Sequence, residues 1–216
     1  MKIILTESQY KTIIEQNTSC QPRKVSKSVI DSVLPEYKNN LSSSVRELQS
    51  SLIENFSHTA ADRKIIDIFN KAIAENFNLL YMIGVKSCYA NYGISGPYNQ
   101  TADVQSIVNN LINKVISIID TNFLYRQALK MYINKDNINV IKEEFSNILL
   151  ISFRKLNRLL LKAEYGLDSM IENKMGRCSN GEYNLVYNKK ATTEYRVSSY
   201  YHTKLVDLNK KLDSFV

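Results

Sequence analysis

The 216-residue sequence has no Trp, two His, three Cys, three Pro and six Gly. Each shortage removes a class of protein. Hairpins need Gly, Pro, Asn or Asp in defined turn positions, so scarce Gly and Pro argue against a turn-rich all-β fold and leave long uninterrupted stretches for helices. Cys20, Cys88 and Cys178 are odd in number and widely spaced, with no CxxC pair and no Cys/His cluster. A disulfide framework and a zinc site are therefore not expected, and a reducing compartment suits the chain. Long apolar runs are missing too. "NFNLLYMIGV" and "FSNILLISF" are each about half the length of a bilayer span, and the opening "IIL", interrupted by Glu7, is too short for a signal-peptide core. A soluble protein is the expectation.

Recognisable chemistry is equally sparse. His58 lies in "NFSHTAADR", where Asp62 is near enough to orient it as a base, but no nucleophile motif accompanies it and a loop or capping role is the commoner use. His202, in "SSYYHTK", reads as a ring packed beside Tyr. There is no GxSxG elbow, and Cys178 has only Arg177 beside it to lower its pKa. "YGISGPYN" lacks the Lys-Ser/Thr of a phosphate loop and reads as an interhelical turn. Glu143 and Glu144 are adjacent on a helix, about 100° apart, which suits helix initiation better than a shared metal. No cofactor and no catalytic residue is assigned, and a non-enzymatic role is expected.

What is present is helical periodicity. Leu41, Val45, Leu48, Leu52 and Phe56 step by three and four, with Pro35 expected to break the segment before them. Residues 61–90 carry a stripe of Ile66, Phe69, Ile73, Phe77 and Leu80, widened by Ile65, Ala72 and Met82, and Cys88 is expected to be buried with it. Residues 102–133 repeat Val104, Ile107, Val108, Leu111, Ile112, Val115, Ile118 and Ile119, with Thr101 as a cap. Residues 138–173 carry Ile141, Phe145, Ile148, Leu149, Leu156, Leu159, Leu160, Ala163, Leu167, Met170 and Ile171, with further apolar residues at Leu150, Ile151, Phe153 and Leu161. A helix apolar on several faces is expected at the centre of a bundle. "EYNLVYN" and "TTEYRVSS" read as a small C-terminal hairpin about "NKKA", and residues 203–215 as a last helix. The predicted fold is thus all-α: a bundle of about five main helices over 27–216, preceded by an appendage and polar linker over 1–26.

The formal charge is +7. It is uneven, with +2 on residues 1–101 and +5 on residues 102–216. Tyr183, Tyr187, Tyr195, Tyr200 and Tyr201 interleave with Lys189, Lys190, Arg196 and Lys204 in the tail, a mixture in which rings stack on bases and cations hold phosphates. Arg154, Arg158 and Lys162 step by four on one helical face. Both groups define a nucleic-acid-binding alternative. An outward, solvated face of the bundle with Tyr filling surface grooves is the simpler reading of both, and Tyr is also an interface residue.

The opening "ILTESQYKTIIEQ" resembles a leader shared by otherwise unrelated bacteriophage proteins, in which Leu-Thr-Glu-Ser is followed by a short amphipathic stretch. Ile4, Leu5, Thr6, Glu7 and Ser8 carry the match, followed by Tyr10, Ile13 and Ile14, while Glu15 stands where the leader has basic residues. The resemblance covers residues 1–16 only. It implies a phage-encoded chain acting in the host cytoplasm or packaged in a virion, and assigns no site. The leading expectation is a helical interaction protein that docks to other proteins.

Overall fold

The computed structural model describes residues 24–56, 59–95, 104–121 and 138–176, with Thr6, Ser8, Asp207 and Lys210 as single positions. Among these there are five helices and no strand: α1 (Lys27–Phe56), α2 (Ala60–Glu75), α3 (Phe77–Asn91), α4 (Val104–Thr121) and α5 (Ile138–Met175). The all-α bundle is as the periodicity predicts. Apart from Thr6 and Ser8, the appendage and its linker up to residue 23 lie outside the described residues, as do the C-terminal hairpin and, apart from Asp207 and Lys210, the last helix expected over 203–215.

Two expectations are corrected. Pro35 does not break α1, which runs through it for 30 residues. Proline removes one backbone donor and crowds the preceding turn, but Pro35 sits on the solvent side, where water can hydrate the freed Asp31 carbonyl. The buried line Ile30, Val33, Tyr37, Leu41, Val45, Leu48 and Leu52 passes it in register. Conversely, the expected helix over 61–90 is two helices. Asn76 leaves helical geometry at φ −106° and ψ 18°, and its side-chain amide donates to the Ala72 carbonyl at 2.8 Å. That is the local competition through which Asn interrupts helices.

The helix ends are chemically specified. Thr59 and Asp62 form a reciprocal capping box at the start of α2, with both bonds at 3.1 Å, a device worth about 1 kcal/mol. At the end of α3, Gly93 takes φ 63°. Its N–H donates to Ala90, and the Ile94 N–H reaches back to the Tyr89 carbonyl at 3.0 Å. This paired pattern satisfies otherwise orphaned carbonyls and needs the left-handed residue that glycine supplies.

Packing places α5 between α1 and α3. Contacts from Ser32 to Lys174 and from Ser51 to Lys155 make α1 and α5 antiparallel along nearly their whole length. The edge-to-face pair Phe69–Phe153, with ring centroids 5.6 Å apart, joins α2 to α5. Helix α4 packs on α2 and α3 rather than on α5, burying Val108, Leu111, Ile112, Val115 and Ile119. The α5 stripe from Phe145 to Ile171 is buried as expected, with Phe153 in it and Met170 partly buried against it, while the side chain of Ile141 lies outside the described residues. Leu161 is the exception: it is exposed. Val25, just ahead of α1 in the stretch read as linker, is buried.

Candidate functional site

Two places on the described residues concentrate polar chemistry. The first is internal. Tyr37 crosses from α1 between α3 and α5, and its hydroxyl donates to the Ala163 carbonyl at 2.8 Å. Gly84 makes the crossing possible, because a Cβ there would overlap both the Tyr37 hydroxyl and the Ala163 carbonyl. The Tyr37 ring also lies 5.7 Å from that of Tyr81.

One turn along, α5 presents the buried Asp168, whose Oδ2 accepts from the Asn91 amide at 2.6 Å. The Cys88 thiol also bonds to this carboxyl. Burial pushes the Asp168 carboxyl up to about 6, against the pull of Asn91 and Cys88 and with Glu172 adding to the rise. Burial, then the Asp168 charge, drives the Cys88 thiol far above its usual range. Cys88 thus stays a protonated thiol at 0% exposure, a core group and donor rather than an activated nucleophile. The Asp168 Oδ1 has no hydrogen-bond partner among the described residues.

The sequence reading missed this cluster. Its signal was available: Leu156, Leu160, Glu164 and Asp168 step by four, so two carboxylates continue a line of buried leucines. Both are buried in the fold, as is Lys86 within the apolar run of α3. The buried bonds from Tyr37 to the Ala163 carbonyl and from Asn91 to Asp168 fix helix register.

The second place is the outer seam of α1 and α5. Two adjoining groove segments share Ser44 and Lys162. One, of about 410 Å³, is lined by Leu48, Ser51, Lys155, Arg158 and Leu159 among others. The next, of about 330 Å³, is lined by Tyr37, Leu41, Tyr165 and Met170 among others. The Lys155 ammonium donates to the Ser51 carbonyl at 3.0 Å and to its hydroxyl at 2.8 Å. Partial burial lowers the Lys155 pKa, with Glu54 opposing and Arg158 reinforcing. Lys162 meets Glu47 at 3.3 Å with both side chains well exposed.

Arg154, Arg158 and Lys162 lie exposed on α5. Lys189, Lys190, Arg196, Lys204, Tyr200 and Tyr201 fall outside the described residues, as do His58, His202, Cys20 and Cys178. Asp62, the residue that would have oriented His58, accepts from the Thr59 N–H in the capping box. Glu143 and Glu144 are exposed in a helix that starts a turn earlier, at Ile138. Among the described residues no helix is long and apolar enough to cross a membrane. Compared with family models, curated proteins and solved structures, the chain matches none.

Proposed function

We propose that this is a non-enzymatic helical interaction protein that docks to another protein through the outer face of α5 beside its seam with α1. One observation carries the reading. Leu161 and Tyr165 are 41% and 44% exposed, one turn apart on α5, and they stand among Arg154, Arg158 and Lys162. Large apolar and aromatic side chains interspersed with Arg are the composition of interface anchors. Between Phe145 and Ile171 the other apolar positions of α5, Tyr165 apart, are buried or half-buried, and leaving Leu161 in water forgoes roughly 1–2 kcal/mol of burial. A partner that covers it recovers that energy. The leader-like opening supports a phage-encoded chain acting in the host cytoplasm or within a virion.

The test is capture from cells that express the chain natively. Wild-type protein is compared with a Leu161→Ser, Tyr165→Ser double variant of matched melting temperature. Loss of the captured protein in the variant supports the reading. Equal capture, or no captured protein with the wild type, overturns it.

A further inference from the structure

We infer that the groove segment between Ser44–Ser51 of α1 and Lys155–Lys162 of α5 binds an acidic, amphipathic helix, reading its carboxylates with Lys155, Arg158 and Lys162. The inference rests on the docking reading and specifies the partner's chemistry.

The argument begins with spacing. Positions 155, 158 and 162 are separated by three and four residues, so the three cations span about 10 Å along the α5 axis at 1.5 Å per residue. A helix laid along the seam repeats at the same pitch. Carboxylates spaced by three and four on one of its faces meet all three cations without unwinding.

The second step is charge. Three cations and one carboxylate, Glu47, line this segment. The Glu47–Lys162 contact is solvent-exposed at both ends, and such pairs contribute little to stability. An incoming carboxylate can therefore exchange with Glu47 at little cost. Lys155 is held toward the seam by two bonds to Ser51, so its ammonium is already positioned and less side-chain freedom is lost on binding.

The third step distinguishes a helix from a nucleic-acid strand. A phosphate backbone brings negative charge at every step and would set one phosphate near Glu47. A helix can place a neutral or basic residue there. Leu48 and Leu159 also line the segment, and beyond Lys162 the groove continues past Leu41, Tyr165 and Met170. That continuation suits apolar residues following the acidic ones on the same helix face.

The probe is a fluorescein-labelled, Ala-based helical peptide. It carries three Glu spaced by three and four, then two Leu one turn further on. Anisotropy is followed with the full chain at low and high salt, beside the same peptide with Gln for Glu and a single-stranded oligonucleotide. The expected result is saturable binding of the Glu peptide, roughly tenfold weaker for the Gln peptide, and weakening as salt rises. Arg158→Gln and Lys162→Gln, each at an exposed position, should each lower affinity a few-fold with the melting temperature unchanged. Equal binding of the Glu and Gln peptides overturns the inference, as does indifference to both substitutions or absence of peptide binding. Tighter binding of the oligonucleotide that displaces the peptide overturns it in favour of a phosphate ligand. The docking reading is judged separately, by capture through Leu161 and Tyr165, which leaves these cations intact.

Discussion

Gly84 and Gly166 lie on facing helices, both against Tyr37, and physical reasoning gives their alanine variants opposite signs. Alanine is favoured over glycine inside a helix by about 1 kcal/mol. At Gly84 a Cβ would overlap the Tyr37 hydroxyl and the backbone carbonyl of Ala163, with the ring's Cζ only 2.7 Å away. A backbone oxygen in a packed helix cannot step aside, and overpacking of this kind costs about 3 kcal/mol. The clash wins, and Gly84→Ala should lose about 2 kcal/mol in a urea titration. At Gly166 the nearest atom to a Cβ is Tyr37 Cε2 at 3.4 Å, an ordinary contact, so Gly166→Ala should be neutral or gain up to about 1 kcal/mol. Equal effects would mean that the Tyr37 crossing is misplaced. Asp168 gives a second test, through pH. Its carboxyl is raised from 3.8 to about 6 by burial. Unfolded, it loses its proton near pH 4, while folded it keeps that proton to about pH 6. The folded state therefore binds more protons across this window, and its stability falls as pH rises through it, on the order of 2–3 kcal/mol in full. Asp168→Asn keeps an acceptor for Asn91 and has no charge to bury. The urea midpoint of the variant should be flatter than wild type from pH 4 to 8 and higher at pH 8. An unchanged profile would assign the pH dependence to another group.

Among the elements, what was legible followed from whether the signal is local. Helix α4 and the core line of α5 were readable because burial of Val108, Leu111, Ile112 and Val115, or of Leu156, Leu159 and Leu160, repeats at the helical period. The break at Asn76 was hidden because a single non-helical residue leaves the steps from Ile73 to Phe77 and Leu80 intact. The continuity of α1 was hidden by Pro35, yet Ile30, Val33 and Tyr37 already extend the Leu41 stripe across it. Tertiary packing fixed this helix against local propensity. The cations at 154, 158 and 162 were visible as spacing, but the groove was not, since it exists only through the pairing of α1 with α5. For Glu164 and Asp168 the spacing was visible and the residue type misled. The proline offers a direct test. Its interior helix cost is about 3 kcal/mol relative to alanine, reduced here because the freed carbonyl faces water. Pro35→Ala should therefore stabilise the protein by about 1–3 kcal/mol in chemical denaturation. A loss would show that α1 depends on the geometry the proline imposes.

The whole molecule is layered, and the layers should differ in stability. Among the described residues, helix α5 is enclosed by α1, α2 and α3, whereas α4 rests chiefly on α2 and α3. Opening α4 uncovers one face of two helices, but separating α5 dismantles the bundle. Local opening free energies in proteins range from near zero to the global value, and peripheral elements take the lower ones. Leu111 in α4 and Leu160 in α5 allow a clean comparison, because both are leucines with no exposed surface. Each truncation to alanine should cost about 2–5 kcal/mol locally. Hydrogen exchange followed by mass spectrometry on peptides from each helix separates the consequences. Leu160→Ala should reduce protection in α1, α3 and α5 together, because all of them lose their common neighbour. Leu111→Ala should reduce protection chiefly in α4, with a smaller change at the α2 and α3 residues it covers, and leave the middle of α5 close to wild type. Protection lost equally in every helix of the Leu111 variant would mean that α4 is integral to a single cooperative unit. The layered order of stability would then be wrong, although the helix positions would stand.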